Sequence, residues 1–355
     1  MIDVSTKPHS PQGGDAKLAE LHERLIASVE ALVTGNDWKI ALEFAARFRT
    51  RSFNNALLIW AQHTAAYERG SVQDAFPSYV AGFKQWQELG RHVMAGQKGY
   101  MILAPLTARF ATASPADAGS WRRLNRNERP RSGEVVRQRM VGARPAYVWD
   151  VSQTDGSPIP ERPAPILLRG EAPRGLWDGL AAAVQDAGFT LSLAPNAASL
   201  SGANGLTDFG VLTVSVRADM DAAARVKTLA HELAHIHMHA PDDETLSHRG
   251  IREVEAESVA LMIGAAHEMD TSDYTIPYVS SWASSVADKT ATEVVQETGE
   301  RVRRAAVVIL DQLQTDQIEP GDSLAFNRSK PTPNLTAAVT APPDLPAGRI
   351  SARSL

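Results

Sequence analysis

The chain contains no cysteine among its 355 residues. This absence excludes disulfide bonds, cysteine-ligated zinc and thiol-based catalysis, and it is typical of proteins of the reducing cytoplasm. Any metal site in this protein must therefore use other ligands.

Long apolar segments are missing as well. The segment 1–14 is polar and has no apolar core, so we predict no signal peptide. No apolar run approaches the roughly 20 residues that a membrane-spanning helix needs. We therefore expect a cytoplasmic protein without membrane contact, whose hydrophobic content of 43% is ample for globular cores.

Charge is distributed unevenly along the chain. Residues 1–150 hold 20 Lys and Arg against 14 Asp and Glu, whereas the remainder holds 16 against 27. The formal net charge of −5 hides this asymmetry. A basic first half beside an acidic second half suggests that the first half meets a polyanion.

The most informative motif is His231-Glu232-Leu233-Ala234-His235, an HExxH pattern. Apolar residues recur at helical spacing over 222–238, so the motif is predicted to lie in a helix, with Asp219 as its N-cap. Residues four apart share a helix face, and two imidazoles on one face provide half of a tetrahedral zinc site. Glu232 is then the candidate catalytic base that activates a metal-bound water.

Two histidines leave the metal one protein ligand short. The longer metzincin pattern would need a His where Pro241 stands, so that class is excluded. The segment 253–263 is typical of a second, buried helix on which Glu253 and Glu257 share a face. We predict Glu253 as the third ligand and Glu257 as a hydrogen-bond partner of an imidazole, although the order could be reversed.

His239 extends the row of histidines by one more helical turn. A single straight helix cannot wrap three ligands around one ion, so His239 is predicted to flank the site or to support a ligand. Zn²⁺ is the expected metal, with Mn²⁺ as an alternative.

The basic half contains aromatic and amide residues interleaved with cations, most densely over 47–55. This pattern suits single-stranded nucleic acid, in which cations follow the phosphates and rings stack on unpaired bases. Residues 121–144 add eight arginines against two acids, and we predict a long, mobile basic loop that clamps phosphates. The predicted nucleic-acid contacts are Arg47, Arg49, Arg51, Phe53, Asn54, Asn55, Lys84, Trp86, Lys98, Arg122, Arg123 and Arg126.

Proline marks the boundary between two predicted domains. The expected organisation is a first domain at 15–157, a Pro-rich linker at 158–173, a second domain at 174–313 and a disordered tail at 314–355.

The order of these features resembles known families. The blocks at 52–59, 82–90, 96–99 and 148–154 resemble the single-stranded-DNA-binding domain of ArdC-type antirestriction proteins. The HExxH motif and the helix with Glu253 and Glu257 resemble the ImmA/IrrE-type metallopeptidase domain. The resemblance implies an α+β protein with an N-terminal α+β single-stranded-DNA-binding domain and a C-terminal zincin-like α+β metallopeptidase domain.

Three functions remain open at this point. The first is a zinc-dependent peptidase (HExxH…E) recruited to DNA, acting on an unknown protein substrate in antirestriction or DNA-associated proteolysis. The second is a non-catalytic protein that binds and protects single-stranded DNA and keeps a structural metal site. The third is a regulatory peptidase that cleaves a repressor.

Overall fold

The computed structural model describes residues 11–32, 34–157, 170–239, 249–271, 274, 282–284, 289–318 and 321. Most of the predicted linker (158–169) and most of the predicted tail lie outside the described residues. The described part has mixed α+β architecture, as the sequence predicts.

Three helices open the chain: α1 (Pro11–Glu30), α2 (Gly35–Arg47) and α3 (Phe53–Glu68). Thr34 and Asp37 form a reciprocal capping box at the start of α2, and the Ser52 hydroxyl accepts from the Asn55 N–H at the start of α3. These caps satisfy N–H groups that the helices themselves leave unpaired.

A four-stranded sheet follows, with strands β1 (Val80–Gly82), β3 (Tyr100–Thr112), β4 (Arg122–Arg123) and β5 (Val135–Asp150) in the order β1-β5-β3-β4. The strands β2 (Arg91–Val93) and β6 (Thr154–Gly156) form a separate pair, and α4 (Phe83–Glu88) follows β1.

Strands β3 and β5 pair antiparallel from Tyr100↔Val148 to Thr112↔Val135, with a register shift at Leu106/Thr107. The two strands thus build a long ribbon. The expectation of a mobile loop over 121–144 was wrong for its second half, because Arg137, Arg139 and Arg144 lie on β5.

The C-terminal part begins with α5 (Leu176–Asp186), β7 (Thr190–Ala194), β8 (Gly205–Asp208) and β9 (Thr213–Arg217). Its sheet has the order β7-β9-β8, with β7 parallel and β8 antiparallel to β9. Strand β8 is an edge strand. The remaining helices of the described residues are α6 (Ala222–Met238), α7 (Arg249–Ala266) and α8 (Ala291–Gln312).

Helix α6 covers the predicted range, but its N-cap is Asp221 and not Asp219. The Asp221 carboxylate accepts from the Ala224 N–H, whereas Asp219 pairs with Arg217.

Helices from both halves of the chain share one hydrophobic core. Trp38 on α2 is fully buried, and its ring packs against Phe53 and Trp282 at centroid distances of 5.5 and 5.4 Å. Its indole N–H donates to the Ser258 hydroxyl on α7 at 3.0 Å. Among the described helices, none combines the length and the apolar character that a bilayer span requires.

Candidate metal centre and nucleic-acid interface

Helices α6 and α7 bring the three predicted metal ligands together. His231 and His235 lie one turn apart on α6, and Glu253 reaches them from the first turns of α7. Each of the three side chains offers one ligand atom, and these three atoms all lie within 4.8 Å of one another. The capped start of α6 and its apolar face, buried through Val226, Leu229 and Leu233, fix the helix that carries the two imidazoles.

The distances between these atoms suit a small divalent cation. The two imidazole Nε2 atoms are 3.1 Å apart, and Glu253 Oε2 lies 3.5 Å from Nε2 of His231 and 3.9 Å from Nε2 of His235. Tetrahedral coordination at about 2.0–2.1 Å separates ligand atoms by roughly 3.3 Å. The donor set of two imidazoles and one carboxylate therefore fits a zinc-type ion with one position left for water.

The outer nitrogen of His231 is held by a carboxylate. His231 Nδ1 lies 3.3 Å from Glu257 Oε2, and the other oxygen of Glu257 binds Lys227 Nζ at 2.8 Å. A carboxylate at Nδ1 turns Nε2 toward the metal position. The supporting role of Glu257 stays a prediction, which this placement supports.

The acidic surroundings favour positive charge at the centre. Burial disfavours protonation of His231, but hydrogen bonds to Glu253 and Glu257 outweigh it and raise the imidazole pKa to about 9. Burial, together with the neighbouring imidazoles, lowers the pKa of His235 to about 4.

Glu232 faces the edge strand β8. Its carboxylate accepts a 2.7 Å hydrogen bond from the Thr207 hydroxyl, and burial raises its pKa. A Cβ atom on Gly205 would lie 2.5 Å from Glu232 Oε1, so the absence of a side chain there lets β8 run directly over the carboxylate. Sequence reasoning missed both Gly205 and Thr207, because their role depends on a strand far from the motif.

The segment 47–55 is predicted to contact DNA, but several of its side chains are buried or form hydrogen bonds within the protein. Phe53 is fully buried in the core, so it has no face free for a base. Asn55 exchanges two 2.9 Å hydrogen bonds with the backbone of Leu103 on β3. The stacking role of Phe53 was therefore wrong.

The arginines of this segment are also engaged. Arg49 donates to the Ile318 carbonyl at 2.8 Å, and Arg51 donates to the Val80 carbonyl at 3.1 Å. Arg47 is exposed, whereas Asn54 is only partly exposed. Of the predicted contacts here, Arg47 alone presents an exposed cation.

Trp86 was predicted as a contact and is fully buried, with its indole N–H donating to the Trp149 carbonyl at 2.9 Å. The exposed ring on this helix is its neighbour, Phe83, at 48% exposure. Lys84 and Lys98, both predicted contacts, are exposed. The predicted nucleic-acid contact of Trp86 is therefore wrong, while the contacts of the two lysines stay predictions.

Three rings form an aromatic face: Phe83 on α4, and Tyr147 and Trp149 on β5. The Phe83 and Trp149 centroids are 6.0 Å apart, and those of Tyr147 and Trp149 are 6.5 Å apart. Tyr147 and Trp149 alternate along β5 and therefore project from the same side.

Cations border the aromatic face. Lys17 Nζ lies 5.5 Å from the Tyr147 ring centroid, and Lys84 directly follows Phe83. The backbone of Gly99 lies against Trp149, where a Cβ would come within 2.7 Å of the indole, so the preceding residue Lys98 is held next to the face. The sequence-based prediction missed this surface, although the alternation of Tyr147 and Trp149 on a strand is a signal that could have indicated it.

The ribbon carries the remaining predicted cations. Arg122 is paired with Glu128 and Glu134, and its hydrogen bonds lower the pKa of Glu134 to about 2. Arg123 and Arg126 are exposed. The guanidinium groups of Arg137 and Arg139 lie 5.2 and 4.6 Å from the Trp121 ring centroid, so both cations contact this ring.

Residues 16–149 match the family model of the N-terminal domain of the anti-restriction factor ArdC. This part of the chain is therefore similar to the N-terminal domain of ArdC. Phe83, Tyr147 and Trp149 of the aromatic face all lie within the matched range.

An uncharacterized protein of Bacillus anthracis, pXO2-81, is 23% identical over 263 residues, which cover 69% of this chain and 43% of that protein. The chain therefore spans less than half the length of this curated relative. The resemblance of the C-terminal part to ImmA/IrrE-type metallopeptidases stays a prediction.

Two crystal structures of the antirestriction ArdC protein from plasmid R388 are similar to the chain. The metal-free structure is 19% identical with a TM-score of 0.46 and covers 82% of this chain and 96% of that chain. The Mn(II)-bound structure is 20% identical with a TM-score of 0.41 and covers 73% and 87%.

Proposed function

We propose that this chain is an antirestriction protein of the ArdC type that binds single-stranded DNA and carries a divalent-metal peptidase centre. The observation that carries the DNA-binding half is the aromatic face bordered by lysines within an ArdC-type domain. Exposed rings stack on unpaired bases, and nearby cations neutralise the phosphates.

The catalytic half rests on the geometry of the metal centre. His231, His235 and Glu253 would hold the ion, and when bound it would supply Lewis acidity and a water of lowered pKa. Glu232 would take the proton of that water, with the Thr207 hydroxyl holding its carboxylate in place. His231 and His235 are turned inward by partners at their outer nitrogens.

The DNA-binding half is tested by fluorescence anisotropy with a labelled 20-nucleotide oligothymidine. Trp149→Ala and Lys98→Ala should each weaken binding, the first by about 10-fold, because one stacked base is worth about 1–3 kcal/mol. Phe76→Ala, which removes an exposed ring outside the aromatic face, is the matched control and should bind normally. Wild-type binding should weaken steeply as salt rises.

Unchanged affinity in Trp149→Ala, together with a loss in Arg47→Ala, would place the interface on the segment 47–55 instead. Binding of double-stranded DNA with equal affinity would contradict a stacking interface, because paired bases do not offer their faces.

The catalytic half is tested by metal analysis of the purified protein and by incubation with a proteome-derived peptide library. Metal should be bound by wild type and Glu232→Gln but lost in His231→Ala. Cleavage should appear with Zn²⁺ or Mn²⁺ in the wild type and vanish in Glu232→Gln. Metal and DNA binding without any cleavage, with or without DNA, would instead support a non-catalytic DNA-protecting protein.

A further inference from the structure

A buried row of side chains runs from the back of His235 to the surface. His235 Nδ1 lies 2.8 Å from His239 Nδ1, and His239 Nε2 lies 3.0 Å from Glu255 Oε2. The other oxygen of Glu255 accepts from Arg301 Nε at 2.8 Å. His239 and Glu255 are 2% and 0% exposed, so water cannot replace their partners.

The row spans three helices. His235 lies on α6 and His239 is the C-cap of that helix, Glu255 lies on α7 and Arg301 on α8. A carboxylate with no exposed surface is costly unless it is paired and hydrogen-bonded. Arg301 and His239 supply that pairing.

The direction of each hydrogen bond follows from its outer end. Arg301 can only donate, so Glu255 faces it as an acceptor, and the second carboxylate oxygen must accept from the Nε2–H of His239. A neutral imidazole protonated at Nε2 has its lone pair at Nδ1. His239 therefore accepts at Nδ1 from the Nδ1–H of His235, and the lone pair of His235 is left at Nε2.

We propose that Arg301, Glu255 and His239 form a positioning relay that fixes the tautomer of His235, so that its Nε2 is the nitrogen offered to the metal. This inference rests on the proposed metal centre. His231 needs no such relay, because Glu257 reaches its Nδ1 directly. His235 lies one turn further along α6, and His239 transmits the effect of the carboxylate across that turn.

The decisive variant is Glu255→Gln, which keeps size and shape. Because Arg301 still only donates, the amide oxygen must face it, and the amide NH₂ must face His239. His239 then accepts at Nε2 and donates at Nδ1, which forces His235 to carry its proton on Nε2. The variant should thus reverse the whole relay and block the metal-binding nitrogen.

The first readout is the tautomer itself. Long-range ¹H–¹⁵N correlation spectra of the metal-free full-length protein should show His235 protonated at Nδ1 in the wild type and at Nε2 in Glu255→Gln. A merely structural Glu255 would leave the tautomer unchanged. The second readout is Zn²⁺ affinity by chelator competition, which should fall 10–100-fold in Glu255→Gln.

A second change should reverse this loss. In Glu255→Gln/Arg301→Ala the amide is free to turn its oxygen toward His239, so the original tautomer and most of the Zn²⁺ affinity should return. His237→Asn on the exposed side of α6 is the matched control and should leave both readouts unchanged.

A further pair keeps the inference testable if Glu255→Gln does not fold. Gln at position 239 can accept from His235 and donate to Glu255, so His239→Gln should retain near-normal Zn²⁺ affinity, whereas His239→Leu should lose it. Equal affinity in both variants, or a wild-type His235 protonated at Nε2, would overturn the relay. A wild-type protein that binds no metal but shows the tautomer switch would refute the metal centre and leave the relay standing.

Discussion

Among individual residues, Glu300 illustrates how the two halves of the chain are joined. Its carboxylate accepts from the Phe53 N–H at 2.9 Å, at the first turn of α3, and from Arg303 at 2.7 Å. A carboxylate at a helix N-terminus interacts favourably with the helix dipole. Burial disfavours its charge, but hydrogen bonds from Arg303 and Phe53 outweigh this and lower the pKa of Glu300.

We expect Glu300→Gln to reduce the free energy of unfolding by about 1–2 kcal/mol at pH 7. A folded-state pKa below the unfolded value of about 4.3 stabilises the protein above that value, and the contribution is lost as pH falls through the folded pKa. Urea denaturation should therefore show the full difference from wild type at pH 7 and a smaller difference at pH 3.

The matched control is Glu297→Gln, an exposed position on the same helix, which should change stability by less than about 0.5 kcal/mol. A loss of equal size at both pH values would mean that packing, and not the charge of Glu300, makes the contribution.

The sequence could predict some residues of the metal centre but not others. His231, Glu232, His235 and Glu253 lie within helices whose local periodicity fixes their relative positions. Gly205 and Thr207 could not be predicted, because nothing near them in sequence indicates that β8 lies over Glu232. That contact depends on a strand pairing with Thr213–Arg217 and on the packing of α6 beneath it.

At the scale of elements, helix α8 lies against α3 through a glycine. A Cβ on Gly299 would come within 2.4 Å of the Phe53 ring, and both positions are buried. The lack of a side chain at Gly299 thus sets how closely the two helices approach.

Gly299→Ala should therefore destabilise the protein by about 1–3 kcal/mol, because an added methyl group in a filled core forces neighbouring groups to move. Thermal and urea unfolding measure the effect. Gly250→Ala on α7 is a control with the same chemical change, since a Cβ there meets nothing within 4 Å. It should stabilise by up to about 1 kcal/mol, because alanine favours helix. Equal destabilisation by both substitutions would contradict the assignment of the effect to the Phe53 contact.

Elements differ in how far sequence predicts them. Helix α6 follows from local periodicity, and its predicted range matches Ala222–Met238. The ribbon does not follow from local periodicity, because β3 and β5 pair across an intervening segment. Considered without that pairing, the arginine-rich segment 121–144 is typical of a loop. Likewise, Arg49 and Asn55 have backbone partners at Ile318 and Leu103, far along the chain, so their basic and amide character was misread as a binding pattern.

At the scale of the whole molecule, the core does not stop at a domain boundary. Trp38 contacts Phe53 from the first half of the chain, and Trp282 and Ser258 from the second. Helix α8 adds the Glu300 contact to α3 and the Arg303 hydrogen bond to the Arg49 carbonyl at 2.7 Å. Regions that share a core in this way should unfold together.

Trp38→Ala tests this cooperativity. Removing a fully buried tryptophan should cost about 3–5 kcal/mol. If the halves unfold as one unit, amide hydrogen exchange should accelerate by a similar factor, about 10³-fold for roughly 4 kcal/mol, in both α3 and α6, although Trp38 lies on neither helix. Mass spectrometry of exchanged peptides measures both regions in one experiment.

Trp149→Ala is the matched control for this experiment, because it removes the same side chain from the partly exposed aromatic face. It should leave exchange in α6 unchanged while weakening DNA binding. Acceleration confined to α3 in Trp38→Ala would mean that the C-terminal part folds independently. Acceleration in both helices would mean that Trp38 and its contacts link the stability of the helix carrying His231 and His235 to that of the N-terminal half of the chain. A defect in either half would then lower the population of folded metal centres.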